Sequence, residues 1–368
     1  MKILFICGSL EPGRDGVGDY TRRLAGELIQ QGYEIALLAL HDFSANEIVQ
    51  EFQQSEGSKI TVVRIPNKME SKIRYAKAKQ FVTDFNPEWI SLQYVPFSFQ
   101  EKGLPFGLAG HLAQISQGRK WHIMFHELWV GMDKESSFKH KIWGNLQQYI
   151  AREVIKKTAA RKIHTQSRFY QFQLEKIGCK ALYLPLFGNI EVIKSEVLAK
   201  AKDTLSFIIF GTIHPNAPVK EFISELSKYG QNANLKVELN FIGRCGSELD
   251  HWQAVCKDQN IDFNILGEQD AATISKVLQN ADWGISTTPW RQIEKSGTVA
   301  AMLEHGLDVI CVARPWTPNG KIPSVNLNGI SEYKENQLAS MLNIFKSNNS
   351  KVGLKKIADS FIEALDYK

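Results

Sequence analysis

Apolar and polar positions along the chain alternate between two periods. Lys2 to Cys7 is a short continuous apolar run, as a parallel strand buried on both faces should be. A glycine-rich loop follows. Next comes a helix-period stretch carrying Tyr20, Leu24, Leu28 and Ile29, stopped at Gly32. Ile35–Leu40 reads as the second strand. Further strand-like runs are Ile60–Ile65, Trp89–Tyr94, Trp121–His126, Lys162–Thr165 and Ala181–Leu184. Helical patterns separate most of them, which implies crossover connections and a doubly wound parallel sheet.

Residues Gly188 to Asp203 break this rhythm and are rich in Lys and Glu, which suits a connector. The alternation then restarts. Leu205–Phe210, Leu235–Ile242, Phe263–Leu266, Trp283–Ser286 and Val309–Val312 are the strand candidates, with helices at about Val219–Tyr229, Ser247–Gln259, Ala271–Gln279 and Gly297–His305 between them. The expected fold is α/β, with two doubly wound Rossmann-like domains facing across a cleft. The first domain would cover 1–187 and accept the substrate, 188–203 would link, and 204–350 would hold the nucleotide. Residues 351–368 would form a terminal helix packing back on the first domain. No sequence repeat at fixed period is present; the halves repeat a topology.

Composition narrows the class. The chain has 368 residues, 43% hydrophobic and 23% charged, which is ordinary for a globular protein and long for one core. Net charge is +5, from 44 basic and 39 acidic residues. That balance suits an anionic ligand and is too mild to argue for nucleic acid. No run of 18 apolar residues is long enough to span a membrane, and Ile3–Cys7 is too short for a signal peptide. Five scattered cysteines form no paired spacing, which reads as reduced cytoplasmic thiols without a zinc site.

Candidate chemistry sits at the ends of the expected strands, where parallel sheets bind ligands. Glu294-Lys295-Ser296-Gly297-Thr298 opens an apolar helical stretch. Ser296 or Thr298 can cap that helix, Gly297 admits an anion close to the backbone, and the helix dipole favours negative charge there. Lys295 adds a full charge, while Glu294 suits neutral hydroxyls such as those of a sugar. Together they describe a site for a sugar diphosphate; the competing reading is an ordinary helix start with a solvated ion pair. In the first loop, Gly8-Ser9 with Gly13, Gly16, Val17 and Gly18 either cradles a phosphate or makes a tight turn. Asp19 reads either as a contact to an acceptor hydroxyl or as a first-turn acid answering the helix dipole. His126-Glu127 ends a strand: either side chain can bond a sugar hydroxyl, and Glu127 can act as general base, against a structural histidine that holds the loop. Gly211-Thr212 with Lys220, and Gly243-Arg244, place cations and glycines at two more strand ends, suited to a diphosphate or simply surface-charged. No Asp-x-Asp pair occurs, which argues against a divalent metal holding that diphosphate.

Taken in order, four pieces resemble the two-domain GT-B glycosyltransferases, and most closely their retaining family 4. These are the loop Gly13–Tyr20 leading into Thr21–Ala25, then Phe241-Ile242-Gly243, then Ile265-Leu266-Gly267, and finally Asn280–Ser286 followed by Glu294–Ile310. The resemblance covers nearly the whole chain. It implies that Glu294, first of a Glu-x7-Glu motif, contacts the donor sugar and that Lys295, Ser296, Gly297 and Thr298 bind the diphosphate. It implies contact of His126 with the transferred sugar, and base binding by backbone near Leu266-Gly267. The chain departs from the family at two places. Met302 stands eight positions after Glu294, and counting back from Gly306 gives Ala301, so Glu304 is the candidate substitute for the ribose-holding Glu. The usual Gly-Arg is Gly211-Thr212; the resemblance assigns Lys220 as the family's lysine and Arg244 as the compensating cation.

The expected activity is sugar transfer from a nucleotide-diphosphate sugar to a hydroxyl of a saccharide or lipid-linked acceptor, with retention. No metal and no resident cofactor are expected, the nucleotide-sugar being a co-substrate, and no nucleic acid partner. A nucleotide-sugar epimerase on the same scaffold and a decayed nucleotide-binding or scaffold protein are the alternatives. Residues 138–162 carry Lys139, Lys141, Arg152, Lys156, Lys157, Arg161 and Lys162 among Ile142, Trp143, Leu146, Tyr149 and Ile150. Such a helix either lies on an anionic membrane or packs on the core with a solvated basic face. The expected location is cytoplasmic, with a peripheral place at the inner membrane face.

Overall fold

The computed structural model describes residues 1–193, 203–319, 327–343 and 353–366. The chain divides into two compact units: Met1–Pro185 with Pro318–Ile322 and Gly353–Lys368, and Leu186–Thr317 with Pro323–Val352.

The first unit holds β1 (Lys2–Cys7), β2 (Glu34–Asp42), β3 (Val49–Ser55), β4 (Ser58–Pro66), β5 (Trp89–Tyr94), β6 (Lys120–Phe125), β7 (Lys162–Thr165) and β8 (Leu182–Tyr183). They order as β3-β4-β2-β1-β5-β6-β7-β8, all parallel except the β3–β4 pair. The helix Gly16–Gln30 buries Tyr20, Leu24 and Leu28 against this sheet, as its period requires. The terminal helix Leu354–Asp366 also packs here, with Phe361 stacked on Phe5 at 5.7 Å between ring centroids.

The second unit is a six-stranded, wholly parallel sheet of β9 (Thr204–Phe210), β10 (Lys236–Ile242), β11 (Asp262–Gly267), β12 (Trp283–Ser286), β13 (Asp308–Cys311) and β14 (Ile330–Glu332). Its order is β11-β10-β9-β12-β13-β14. Each face is sealed by its own apolar cluster, one around Phe222, Phe241 and Trp252, the other around Ile293, Ala301 and Met302. Gly188–Ile193, expected within a connector, pack on this unit. A β-carbon at Gly188 would lie 2.6 Å from Ala301 Cα, and the Ile193 amide donates to Ser275 Oγ at 3.0 Å. The rest of that connector, 194–202, lies outside the described residues.

Two strands were not visible as patterns. Strand β3 reads Val-Gln-Glu-Phe-Gln-Gln-Ser, and its one buried residue, Gln53, is polar. Glu56 and Gly57, both at positive φ, make the two-residue hairpin turn to β4. Strand β14 is three residues long.

Candidate functional site

The residues singled out by sequence fall into two groups, one in each unit. In the first unit, Asp15 caps the Gly16–Gln30 helix, its Oδ1 accepting from the amides of Val17 and Gly18 at 2.8 Å each. Those two amides were expected to face a ligand phosphate; the structure gives them to Asp15 instead. The loop is a held turn, because its best donors are already used. Gly18 is required by packing, since a β-carbon there would lie 2.8 Å from the Ser9 carbonyl. Asp19 accepts from the Gly13 amide at 3.0 Å and pairs with Arg22, which ties it to the loop.

Beneath this loop lies a charged network that sequence reading missed. Asp42, fully buried at the end of β2, accepts from Arg64 Nε at 2.9 Å and from the Leu10 amide at 3.0 Å. Arg64 also pairs with Glu11, and Arg22 donates to the Leu10 carbonyl at 2.9 Å. Burial alone would raise the Asp42 pKa; Arg64 and the amides of Leu10 and Ser44 overcome it and hold the carboxyl below its ordinary value.

His126 follows β6 directly and is buried. Its Nε2 lies 2.8 Å from Gln93 Oε1, and its ring meets Tyr20 edge-on at 4.8 Å. Burial lowers its pKa to about 3, so the imidazole is neutral at physiological pH. Glu127 is half-buried beside it.

In the second unit the glycines at three strand ends converge. Gly211, Gly243 and Gly267 all have positive φ, and they join hand to hand: the Gly211 amide donates to Ile242 at 2.8 Å and the Gly243 amide to Gly267 at 2.7 Å. A β-carbon at Gly211 would lie 2.9 Å from Thr298 Cγ2, and one at Gly243 would lie 3.4 Å from Gly211 Cα. Gly211, Gly243 and Thr298 therefore form one backbone-lined surface. Ser296, and not Thr298, caps the Gly297–Glu304 helix, accepting from Val299 N at 3.4 Å. Its Oγ lies 3.1 Å from the Thr298 hydroxyl. Glu294 and Lys295 precede it in the short 3₁₀ turn Trp290–Lys295, anchored by the buried Ile293.

Two cations, Lys295 and Arg314, both act on His214. The pKa of His214 is lowered by burial first, then by the charges of Lys295 and Arg314. The His214 amide is fixed by Thr287 Oγ1 at 2.7 Å. Arg314 was not among the residues picked from sequence; it follows β13 without any motif around it. A pocket of about 620 Å³, lined in part by Trp290, Arg291, Arg314, Trp316, Glu332 and Tyr333, opens beside these residues.

Other expected site residues lie differently. Arg244 is exposed and pairs with Glu268 at 2.9 Å. Lys220 is exposed in the first turn of the Val219–Ala233 helix, and no described contact joins it to Ser296–Thr298. Leu266 is half-buried against the core around Ile293. Glu304 sits at the opposite end of its helix, six residues or roughly 9 Å from Thr298, where its Oε2 abuts Gly188. The two positions where the resemblance expects a second Glu, Ala301 and Met302, are fully buried, with Met302 Sδ 2.6 Å from where a Gly284 β-carbon would stand. A carboxylate at either would be desolvated inside the core. Among the described residues, no group of three or more His, Cys, Asp or Glu side chains is placed to hold a metal ion.

No family profile matches this chain, and no curated protein sequence does. Solved structures do. Anabaena HepE (Alr3699), solved with UDP and glucose, is similar over 99% of both chains at 15% identity, with a TM-score of 0.60. The apo lipopolysaccharide outer core galactosyltransferase WaaB matches 99% of both chains at 15% identity and a TM-score of 0.54. An α-glucosyltransferase solved with UDP and a 13-mer DNA is 14% identical over 99% of this chain and 94% of its own, also at 0.54. At these identities the likeness is one of fold. The chain has the two-domain α/β GT-B fold, built from two parallel sheets.

Proposed function

We propose that this protein is a glycosyltransferase that moves a sugar from a nucleotide-diphosphate sugar to an acceptor hydroxyl, with retention and without a metal ion. The observation that carries the reading is the meeting of Gly211, Gly243 and Thr298 beside the Ser296 cap, with the charges of Lys295 and Arg314 close by. The Gly211 and Gly243 amides already donate to Ile242 and Gly267, so the glycines give an anion room while the first turn of the Gly297–Glu304 helix and the cations hold it. HepE, of the same fold, was solved with UDP and glucose, which makes a UDP-sugar the first donor to test.

In this reading Lys295, Arg314 and the first-turn amides of the Gly297–Glu304 helix stabilise the departing diphosphate. Glu294 bonds the donor sugar's hydroxyls, and neutral His126 meets the transferred sugar. The bond from the anomeric carbon to the phosphate oxygen breaks as the acceptor oxygen bonds to the same face. The acceptor proton passes to the departing phosphate oxygen, so Glu127 orients the acceptor and is not consumed. One preorganised charge of this kind is worth about 3 kcal/mol of barrier. Turnover of Lys295→Ala with a UDP-sugar and a saccharide panel tests the assignment; unchanged turnover removes it.

A second reading, nucleotide binding without transfer, is favoured by the buried Ala301 and Met302, which leave no carboxylate for the ribose there. Nucleotide-dependent stabilisation with no product under any donor would select it.

The acceptor is proposed to be a saccharide or a lipid-linked one met at a membrane surface. The Phe138–Thr158 helix packs Ile150, Ala151 and Val154 inward. Phe138, Ile142, Leu146 and Tyr149 form an outward stripe, with Phe138 79% exposed, among Lys139, Lys141 and Arg152. An apolar stripe flanked by cations suits the surface of an anionic bilayer.

A further inference from the structure

The first unit carries a buried polar chain that no role above uses. Ser91 and Gln93 lie on β5, His122 on β6 and His164 on β7, with His126 just past the end of β6. Alternation along the strands puts all five side chains on one face of the sheet. All five are buried, Ser91 and His122 completely. His126 Nε2 lies 2.8 Å from Gln93 Oε1, and Gln93 Nε2 lies 2.7 Å from Ser91 Oγ. Ser91 Oγ lies 2.7 Å from His122 Nδ1, and His122 Nε2 lies 3.0 Å from His164 Nδ1.

These contacts allow only a few hydrogen placements. A carboxamide oxygen accepts and cannot donate, so His126 carries its hydrogen on Nε2. Ser91, having accepted from the Gln93 amide, gives its own hydrogen to His122 Nδ1. His122 is then protonated on Nε2 and donates to His164 Nδ1, which leaves the His164 hydrogen on its own Nε2. Every donor points from His126 toward His164. The other self-consistent arrangement turns the Gln93 amide over and reverses every bond, moving all three imidazoles to Nδ1–H together. Phe361 lies edge-on over His122 at 5.1 Å and closes the chain off. Burial pushes His122 well below the usual histidine range, His126 to about 3 and His164 to about 4, so protonation does not break the chain near neutral pH.

We propose that Gln93, Ser91, His122 and His164 form a positioning relay that holds His126 as its Nε2–H tautomer, so that Nδ1 is its accepting nitrogen, with the buried Gln166 as the ring's other side-chain neighbour. The proposal rests on the reading that His126 meets the transferred sugar. A histidine free to exchange tautomers would present an acceptor only part of the time; a buried partner that fixes the tautomer removes that loss, as outer partners do for metal-bound histidines.

The test is a long-range proton–nitrogen correlation spectrum of the ¹⁵N-labelled full chain, without ligand, at neutral pH. The expected result is a single Nε2–H tautomer at His126, His122 and His164. An Nδ1–H tautomer or a mixture at His126 in the unaltered chain overturns the proposal, and this measurement needs no variant to fold. Ser91→Ala cuts the chain in its middle. It is expected to give mixed tautomers at His126 and to lower kcat on the order of tenfold, with UDP affinity unchanged, and Ser91→Thr is expected to restore both. A Ser91→Ala protein that is merely less stable, with His126 still wholly Nε2–H, overturns the relay. His164→Phe, cutting the far end, gives the same reading should Ser91→Ala not fold. An Nε2–H His126 in a chain that transfers no sugar would leave the relay standing and remove the reading it serves.

Discussion

Gly211 and Thr298 approach so closely that a β-carbon on the glycine would stand 2.9 Å from the threonine methyl. This contact joins the end of β9 to the first turn of the Gly297–Glu304 helix, and it makes the glycine a packing requirement as well as a backbone one. Gly211→Ala would add strain, since φ is +78° there, of about 1–2 kcal/mol. It would also push Thr298 away from Ser296. The expected outcome is a lower urea midpoint together with weaker nucleotide binding by titration calorimetry. Adding Thr298→Ser, which keeps the hydroxyl and removes the methyl, should recover the binding but not the midpoint.

The Asp42–Arg64 pair makes a separate prediction about the glycine-rich loop. Asp42→Asn removes the buried partner of Arg64, which keeps Glu11 and Glu51 beside it, so the loss should fall below the roughly 3–5 kcal/mol of an uncompensated buried charge. The folded Asp42 pKa is depressed, so its stabilising contribution is present above the unfolded value of about 3.9 and lost as pH falls through the folded one. Urea midpoints against pH should show that acid limb in the parent chain and a flatter one in the variant. Proteolysis in the loop Gly8–Gly18 should accelerate in the variant.

Three buried neutral histidines add acid sensitivity that begins at a higher pH than that of Asp42. His122, His126 and His164 all have folded pKa values far below the ordinary histidine value. The unfolded chain therefore binds protons that the folded one refuses. Stability is complete above about pH 6.5 and falls as pH drops below it, by up to about 1.4 kcal/mol per pH unit for each histidine. Thermal melts between neutral and mildly acidic pH check this, and a pH-independent Tm over that range would contradict it.

Membrane association is tested on the Phe138–Thr158 helix. Sedimentation with anionic vesicles should carry the protein down at low salt and release it at high salt, since Lys139, Lys141 and Arg152 supply a screened attraction. Ile142→Asp with Leu146→Asp should abolish binding at low salt without lowering Tm, because both side chains are exposed. Failure of the parent chain to sediment at low salt removes the membrane proposal.

Much of the fold was legible because parallel strands buried on both faces announce themselves. Lys2–Cys7, Trp89–Tyr94, Lys162–Thr165 and Trp283–Ser286 begin and end where the apolar runs do. Strand β3 was hidden because the residue it buries is Gln53, chosen to hold the Leu10 carbonyl at 3.0 Å and not to fill a core. The cluster around Ser296 was legible from capping chemistry, yet its partners Gly211 and Gly243 come from strands far away in sequence, and only folding shows that they meet Thr298. Arg314 and the Asp42–Arg64 anchor carry no local motif at all. The loop Gly16–Gly18 stayed open between a phosphate cradle and a tight turn because glycine spacing cannot reveal that Asp15 has already taken its amides.

The surface around Gly211, Gly243, Ser296 and Thr298 is proposed to hold the diphosphate of a sugar donor. Its most direct test is titration of UDP, with GDP, ADP, CMP and dTDP beside it, into the full chain and its Lys295→Ala variant, followed by NMR of the anomeric centre of any product. One nucleoside diphosphate should bind the parent chain, Lys295→Ala should cut sugar transfer on the order of a hundredfold with the fold intact, and the product should keep the donor's anomeric configuration. A parent chain that binds none of these nucleotides, or a Lys295→Ala variant that transfers sugar as fast as its parent, would contradict it.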